Sequence, residues 1–236
     1  PGFGASNSNY ETTIIAGNTF DFPYVHGQSI MACGYSFVSS SVAAVEHADV
    51  NLEKYPVVDV LMGEQKKTWI GTGVGSCTFK TFSLNLQNRI AQYCSKGGNI
   101  FVSGAHIGTD LWDNGEIDSS DVAFAKKILK YSWRTDKASQ DGKVSAVFAP
   151  NSSFSGKYTF CTQLNEEQYA VEAPDGIEPV GDDAFTIFRY EQNNISAGIA
   201  YKGNYRTVVC GFPFESLIDA SQRNAFMYQV LNFLMK

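Results

Sequence analysis

The sequence predicts an α/β fold: a mostly parallel sheet with helices on both faces and an antiparallel β-rich insert near residues 143–202. Three observations predict it. Strand-like and helix-like segments alternate through the first part of the chain and again at its end, as in sheets built by crossover connections. The stretch Gly97–Asp110 passes from a Gly-Gly break through an apolar run into a small-residue elbow, Ser103-Gly104-Ala105, followed by His106 and Asp110. That pattern fits a buried parallel strand ending in a tight turn, where α/β folds collect ligands and catalytic groups. From Lys143 to Lys202 the texture changes to short alternating runs between turn signals, which reads as hairpins.

Each element has its own justification. Residues 1–10 form a Gly-, Ser- and Asn-rich lead-in, and residues 11–236 read as one domain. Thr12–Ala16 is a first strand, closed by Gly17-Asn18; Tyr24–Cys33 is a short helix ending at Gly34, and Tyr35–Val38 a second strand. Val57–Met62 is β-branched and bounded by Pro56 and Gly63, a buried-strand signal. Phe82, Leu86, Ile90 and Tyr93 recur at helical spacing, with Ser83 or Thr81 as cap and Gly97 as terminator. Ile100–Ser103 is the next strand, and Val122, Ala125, Ile128 and Leu129 share a helical face behind a Ser119 or Ser120 cap. A last strand, Thr207–Gly211, leads into a helix burying Ala220, Met227, Val230, Leu231 and Leu234.

With 44% hydrophobic and 18% charged residues in 236, the composition is that of a globular protein. A net charge of -6 and the lack of a Lys/Arg cluster argue against a nucleic-acid partner. The apolar runs are too short to span a membrane. The chain starts at Pro1 and shows no signal peptide, so we expect a processed chain or a piece of a larger multidomain protein. Five scattered cysteines without a C-x-x-C pair argue against zinc; their odd number argues against a full disulfide framework and leaves room for one bridge. No cofactor and no metal are expected.

The candidate chemistry gathers at strand ends. Ser103 offers a hydroxyl on the elbow and His106 an imidazole three residues on; the competing reading has Ser103 bonded to backbone and His106 packed. Glu64 follows the Val57–Met62 strand, so it faces the same crevice, where Glu64, His106, Asp110 and Glu215 would surround one pocket. Such a set suits acid–base work on a sugar or uronic acid, or a divalent cation, against the alternative of a solvated rim of loop acids. Gln65 and Lys66 would then bind ligand, and Trp112, with Trp69 and Tyr24, would offer faces to sugar rings or simply pack. Asp110–Asp121 partly imitates a calcium loop, but Trp112 cannot ligate and Asp121 replaces the bidentate Glu. Gly71–Ser76 lacks a P-loop Lys-Ser/Thr and reads as a loop beside the pocket.

Asn18-Thr19-Phe20-Asp21-Phe22-Pro23-Tyr24-Val25-His26-Gly27, Gly63-Glu64-Gln65-Lys66, Val102-Ser103-Gly104-Ala105 and Gly211-Phe212-Pro213-Phe214-Glu215 carry a resemblance. They resemble the class I glutamine amidotransferase-like domains, a flavodoxin-like fold. More narrowly, they are similar to a domain of secreted bacterial proteins called xanthan lyase or N-acetylmuramoyl-L-alanine amidase. The resemblance implies a nucleophile on the elbow, where Ser103 stands in place of the family's Cys, and a late His-Pro-Glu. Here Phe212-Pro213-Phe214-Glu215 keeps the carboxylate but has no imidazole, and no histidine follows His106. The triad lacks its base, so glutamine hydrolysis is not expected. What the resemblance implies instead is a non-glutaminase accessory or binding module of a secreted, periplasmic or surface protein. It would act on extracellular or cell-wall polysaccharide, with a carbohydrate or small molecule as ligand. The alternative is a hydrolase or polysaccharide lyase with a rebuilt centre, His106 as base assisted by Ser103 or a carboxylate.

Overall fold

The computed structural model describes residues 22–70, 77–112, 117–148, 153–163 and 168–236. The expected strand Thr12–Ala16, the Gly71–Ser76 loop, and Asn114 and Gly115 of the calcium-like stretch lie outside the described residues. The first helix, α1 (Phe22–Ala32), runs close to the span expected for it. Residues 35–41, by contrast, have no regular structure, because Tyr35–Val38 find no strand to pair with among the described residues. A short helix α2 (Val42–Glu46), capped by Ser41, leads into β1 (Val57–Gly63). An antiparallel pair, β2 (Thr68–Ile70) and β3 (Cys77–Phe79), follows. Helix α3 (Leu84–Ser95) begins where the Ser83 hydroxyl accepts from the Leu86 amide at 3.2 Å. It ends at Gly97, whose φ of +88° favours a residue without a Cβ.

Strand β4 (Asn99–Gly104) leads through the elbow to a single helical turn, α4 (Thr109–Trp112). Helix α5 (Ser119–Phe124) is capped by Asp118, one residue before the expected serines, and runs on as a π-helical turn over Ala125–Leu129. Strand β5 (Tyr131–Thr135) pairs with β8 (Gly176–Pro179) in a separate ribbon. Strands β6 (Lys143–Ala146), β7 (Lys157–Thr159), β9 (Ala184–Tyr190), β10 (Ser196–Lys202) and β11 (Arg206–Cys210) complete the strands. A 3-10 turn, Phe214–Ser216, precedes α6 (Ala220–Leu234), whose first turn is held by Asp219 accepting from the Gln222 amide at 2.8 Å.

The main sheet has the order β1-β4-β11-β10-β9-β6-β7. Only the ladders β1–β4 and β4–β11 are parallel; β11–β10, β10–β9, β9–β6 and β6–β7 are antiparallel. This overturns the expected mostly parallel, flavodoxin-like sheet, and with it the resemblance to the amidotransferase-like and xanthan lyase-type domains. Strands joined by short turns, as β9 and β10 are, can only pair antiparallel, because a parallel neighbour needs a long crossover. Residues 143–202 are accordingly no insert: β6, β7, β9 and β10 form the larger half of the sheet itself.

Alternation along the central strands separates two cores. Phe101, Val208 and Cys210 pack with Phe188, Phe212, Phe214 and Phe226 beneath α6, and Ile30 of α1 and Cys33 just after it join them. Ile100, Val102, Val209 and Ile199 face the other way, onto Leu86, Ile90, Phe124 and Tyr131.

Candidate functional site

The carboxyl ends of the parallel strands meet on the α1–α6 face. Asp59 lies beside Phe101 in the β1–β4 register, so its side chain shares that face. A carboxylate in a strand that reads Val-Val-Asp-Val-Leu-Met must find a partner as it leaves water. The partner is His26 of α1, whose Nδ1–H donates to Asp59 Oδ2 at 2.7 Å. Its Nε2–H donates to Glu215 Oε2 at 3.2 Å. Burial of this ring would lower its pKa, but the charge and hydrogen bond of Asp59, joined by Glu215, raise it from 6.5 to about 9. At neutral pH His26 is therefore an imidazolium, donating from both nitrogens and packed edge-on against Phe214 at 4.5 Å.

Glu215 sits in the 3-10 turn after β11 and is buried. Its other oxygen, Oε1, accepts from the Tyr169 hydroxyl at 2.8 Å. Burial and the neighbouring Glu215 hold the Tyr169 phenol well above its usual pKa, so it remains a donor. Gly63 ends β1 with φ +51°, and a Cβ there would stand 3.3 Å from Glu215 Oε1. That turn puts Glu64 at the rim of the same group. Glu64 is exposed as a residue, while its Oε1 lies against the 168–172 segment, accepting from the Glu172 amide at 3.4 Å. Desolvation there, with the charges of Glu172 and Glu215, raises its carboxyl to about 7 against the pull of that amide and of Lys66. Phe22 and Tyr169, with ring centroids 5.3 Å apart, form an aromatic wall beside it.

The residues singled out from sequence are thus divided. Glu64 and Glu215 come together. Ser103 is fully buried on the same sheet face as Phe101, and its Oγ has no hydrogen-bond partner among the described residues. It therefore makes no bond to His106, whose Nδ1 likewise has no hydrogen-bond partner among the described residues. Burial and the charge of Lys66 lower the His106 pKa against Asp110 and Asp136, leaving it a neutral imidazole. Asp110 accepts from the Lys67 amide at 2.6 Å and from the Thr81 amide and hydroxyl at 2.9 and 2.6 Å, which ties α4 to the segment before α3. Gln65 is tied to the Lys80 carbonyl at 2.9 Å, and Trp112 packs on Tyr131 with ring centroids 6.1 Å apart. Tyr24 is exposed on α1. No group of three or more metal-ligating side chains occurs among the described residues.

Sequence reasoning missed His26, Asp59, Tyr169 and Glu172 as site residues. The lone acid inside an apolar strand was a signal for Asp59. For Tyr169 and Glu172 there was none.

A further buried acid fixes the frame. Asp175 accepts from the Gly108 and Thr109 amides at 2.6 and 2.9 Å, the Thr109 hydroxyl at 2.5 Å and the Trp133 indole at 3.0 Å. Burial pushes its carboxyl up to about 7 in spite of these donors. Its backbone is bonded to Gly211 and to the Tyr190 hydroxyl, so the 168–175 segment is pinned across the strand ends.

No family model and no curated protein matches the chain. Among solved structures it is similar to the exo-β-1,4-mannosidase Op5Man5 from Opitutaceae bacterium strain TAV5, at 10% identity and a TM-score of 0.42. The match covers 79% of this chain and 25% of that one, so the chain spans about a quarter of the mannosidase. A likeness at that level carries no argument, and the site stands on its own geometry.

Proposed function

We propose that the protein acts on carbohydrate, with Glu64 as the general acid that gives a proton to the leaving oxygen of a sugar. One observation carries this reading: a rim carboxyl raised to about 7 sits above a buried carboxylate that His26 and Tyr169 hold in place. A carboxyl that is half protonated near neutral pH is matched to general acid–base catalysis. Glu215, beneath it, supplies fixed negative charge of the kind that stabilises an oxocarbenium-like transition state. Carboxyls beside an aromatic wall are also what a sugar ring, polar at its edge and apolar on its faces, asks for. Ser103 and His106 are not arranged as nucleophile and base, so they take no part in this reading.

The test is a panel of neutral, amino- and uronate-containing polysaccharides, with reducing-end release as readout. Cleavage should fall as pH rises through about 7, because the acid form of Glu64 is required. Glu64→Gln should lower kcat by about a hundredfold or more while leaving KM within a few-fold. A wild-type protein that cleaves nothing on the panel, or a Glu64→Gln variant with full activity, would sink the proposal.

A further inference from the structure

A second space lies on the far side of Asp59. It is a cavity of about 380 Å³ that wraps the outer edge of β1. Residues of both cores meet in its wall: Phe101 and Leu231 from the α6 side, Val58 and Ile90 from the α3 side. Val42 of α2 and Phe37 stand at the wall and are exposed in part. The volume falls within the roughly 300–1,000 Å³ usual for small-molecule sites. Asp59 belongs to this otherwise mostly apolar lining, and its Oδ1 is buried with no hydrogen-bond partner among the described residues. Its Oδ2 is already used by His26. An acceptor in that state costs free energy until a donor reaches it. The charges around it choose the kind of donor, since one imidazolium faces two carboxylates, Asp59 and Glu215, and the group retains a negative balance.

We propose that this cavity binds a small amphipathic cation, an alkyl- or arylammonium whose nitrogen meets Asp59 Oδ1 while its hydrocarbon lies along β1. An anion would place like charges together in an apolar enclosure, and a neutral alcohol would satisfy the hydrogen bond without the charge. The proposal is independent of the carbohydrate reading, because its probes carry no sugar and its readout is binding.

Hexylammonium, hexanol and hexanoate, titrated calorimetrically into the full chain at neutral pH, separate these cases. Hexylammonium should bind saturably and at least about tenfold more tightly than hexanol, the equivalent of one charge-assisted hydrogen bond. Hexanoate should not bind. Asp59→Asn should abolish the preference for ammonium while hexanol still binds. Val42→Trp, at a partly exposed wall position, should fill the space and abolish both without touching Asp59. Failure of the full chain to bind hexylammonium overturns the proposal, including the case in which the chain itself fills the cavity. So does equal affinity for the ammonium and the alcohol, or an unchanged preference in a folded Asp59→Asn variant.

Discussion

His26 holds its proton more tightly in the folded chain than it would in the unfolded one, and this has a direct consequence for stability. Its pKa rises from 6.5 to about 9, so its stabilising contribution is complete below about pH 6.5 and is lost as pH climbs through 9. Urea unfolding at pH 6.5 and 9.5 should show the wild type losing about 3 kcal/mol more across that window than a His26→Gln variant, which keeps only the smaller losses from Glu64 and Asp175 ionising near 7. His26→Gln should be less stable than the wild type at the lower pH by a similar amount, about 3 kcal/mol. A wild type as stable at the higher pH would show that the ring is not protonated between its carboxylates. This interaction was half legible in the sequence. An acid among Val57, Val58, Val60 and Leu61 announces a buried partner, but nothing local says which group it is. His26 is 33 residues from Asp59 and 189 from Glu215, and only the closed fold brings the three together. Ser103 shows the reverse case: the elbow made it conspicuous, and its hydroxyl finds no hydrogen-bond partner among the described residues.

Among the elements, those with one strong periodic signal were readable. β1, α3, β4, β11 and α6 each lie within a few residues of the segments that apolar spacing and caps predict. Pairing direction was not readable, because apolar runs look alike in parallel and antiparallel ladders when both faces are buried. Tyr35–Val38 has strand composition but no neighbour among the described strands, and β2–β3 is too short to announce itself. The 168–175 segment shows how an irregular stretch can be fixed as firmly as a strand. Asp175→Asn keeps one acceptor oxygen but sets an amide N–H₂ against two of the four donors, either the Gly108 and Thr109 amides or the Thr109 hydroxyl and the Trp133 indole, and should cost about 2–3 kcal/mol in thermal or urea unfolding. It should also loosen Tyr169 and Glu172, and so depress the activity assigned to Glu64 more than a distant variant of equal stability. If the two variants lose activity in equal measure, the segment does not organise the site.

On the scale of the whole molecule, β4 and β11 join the parallel part of the sheet to the antiparallel part. Both are buried along nearly their whole length, as is most of β10. Amide hydrogen exchange should therefore be slowest in these three strands and faster in β7, at the sheet's far edge. Early exchange in β4 would mean that the two parts unfold separately. The Asp175 anchor also joins two places that no ligand would touch together. The Trp133 indole N–H donates a hydrogen bond to Asp175, whose carboxylate ends the stretch bearing Glu172. Its emission spectrum should shift when a molecule settles at the Glu64 rim, so the protein carries its own optical gauge of occupancy. Replacing Trp133 with Phe should silence that gauge while the remaining tryptophans, Trp69 and Trp112, continue to fluoresce.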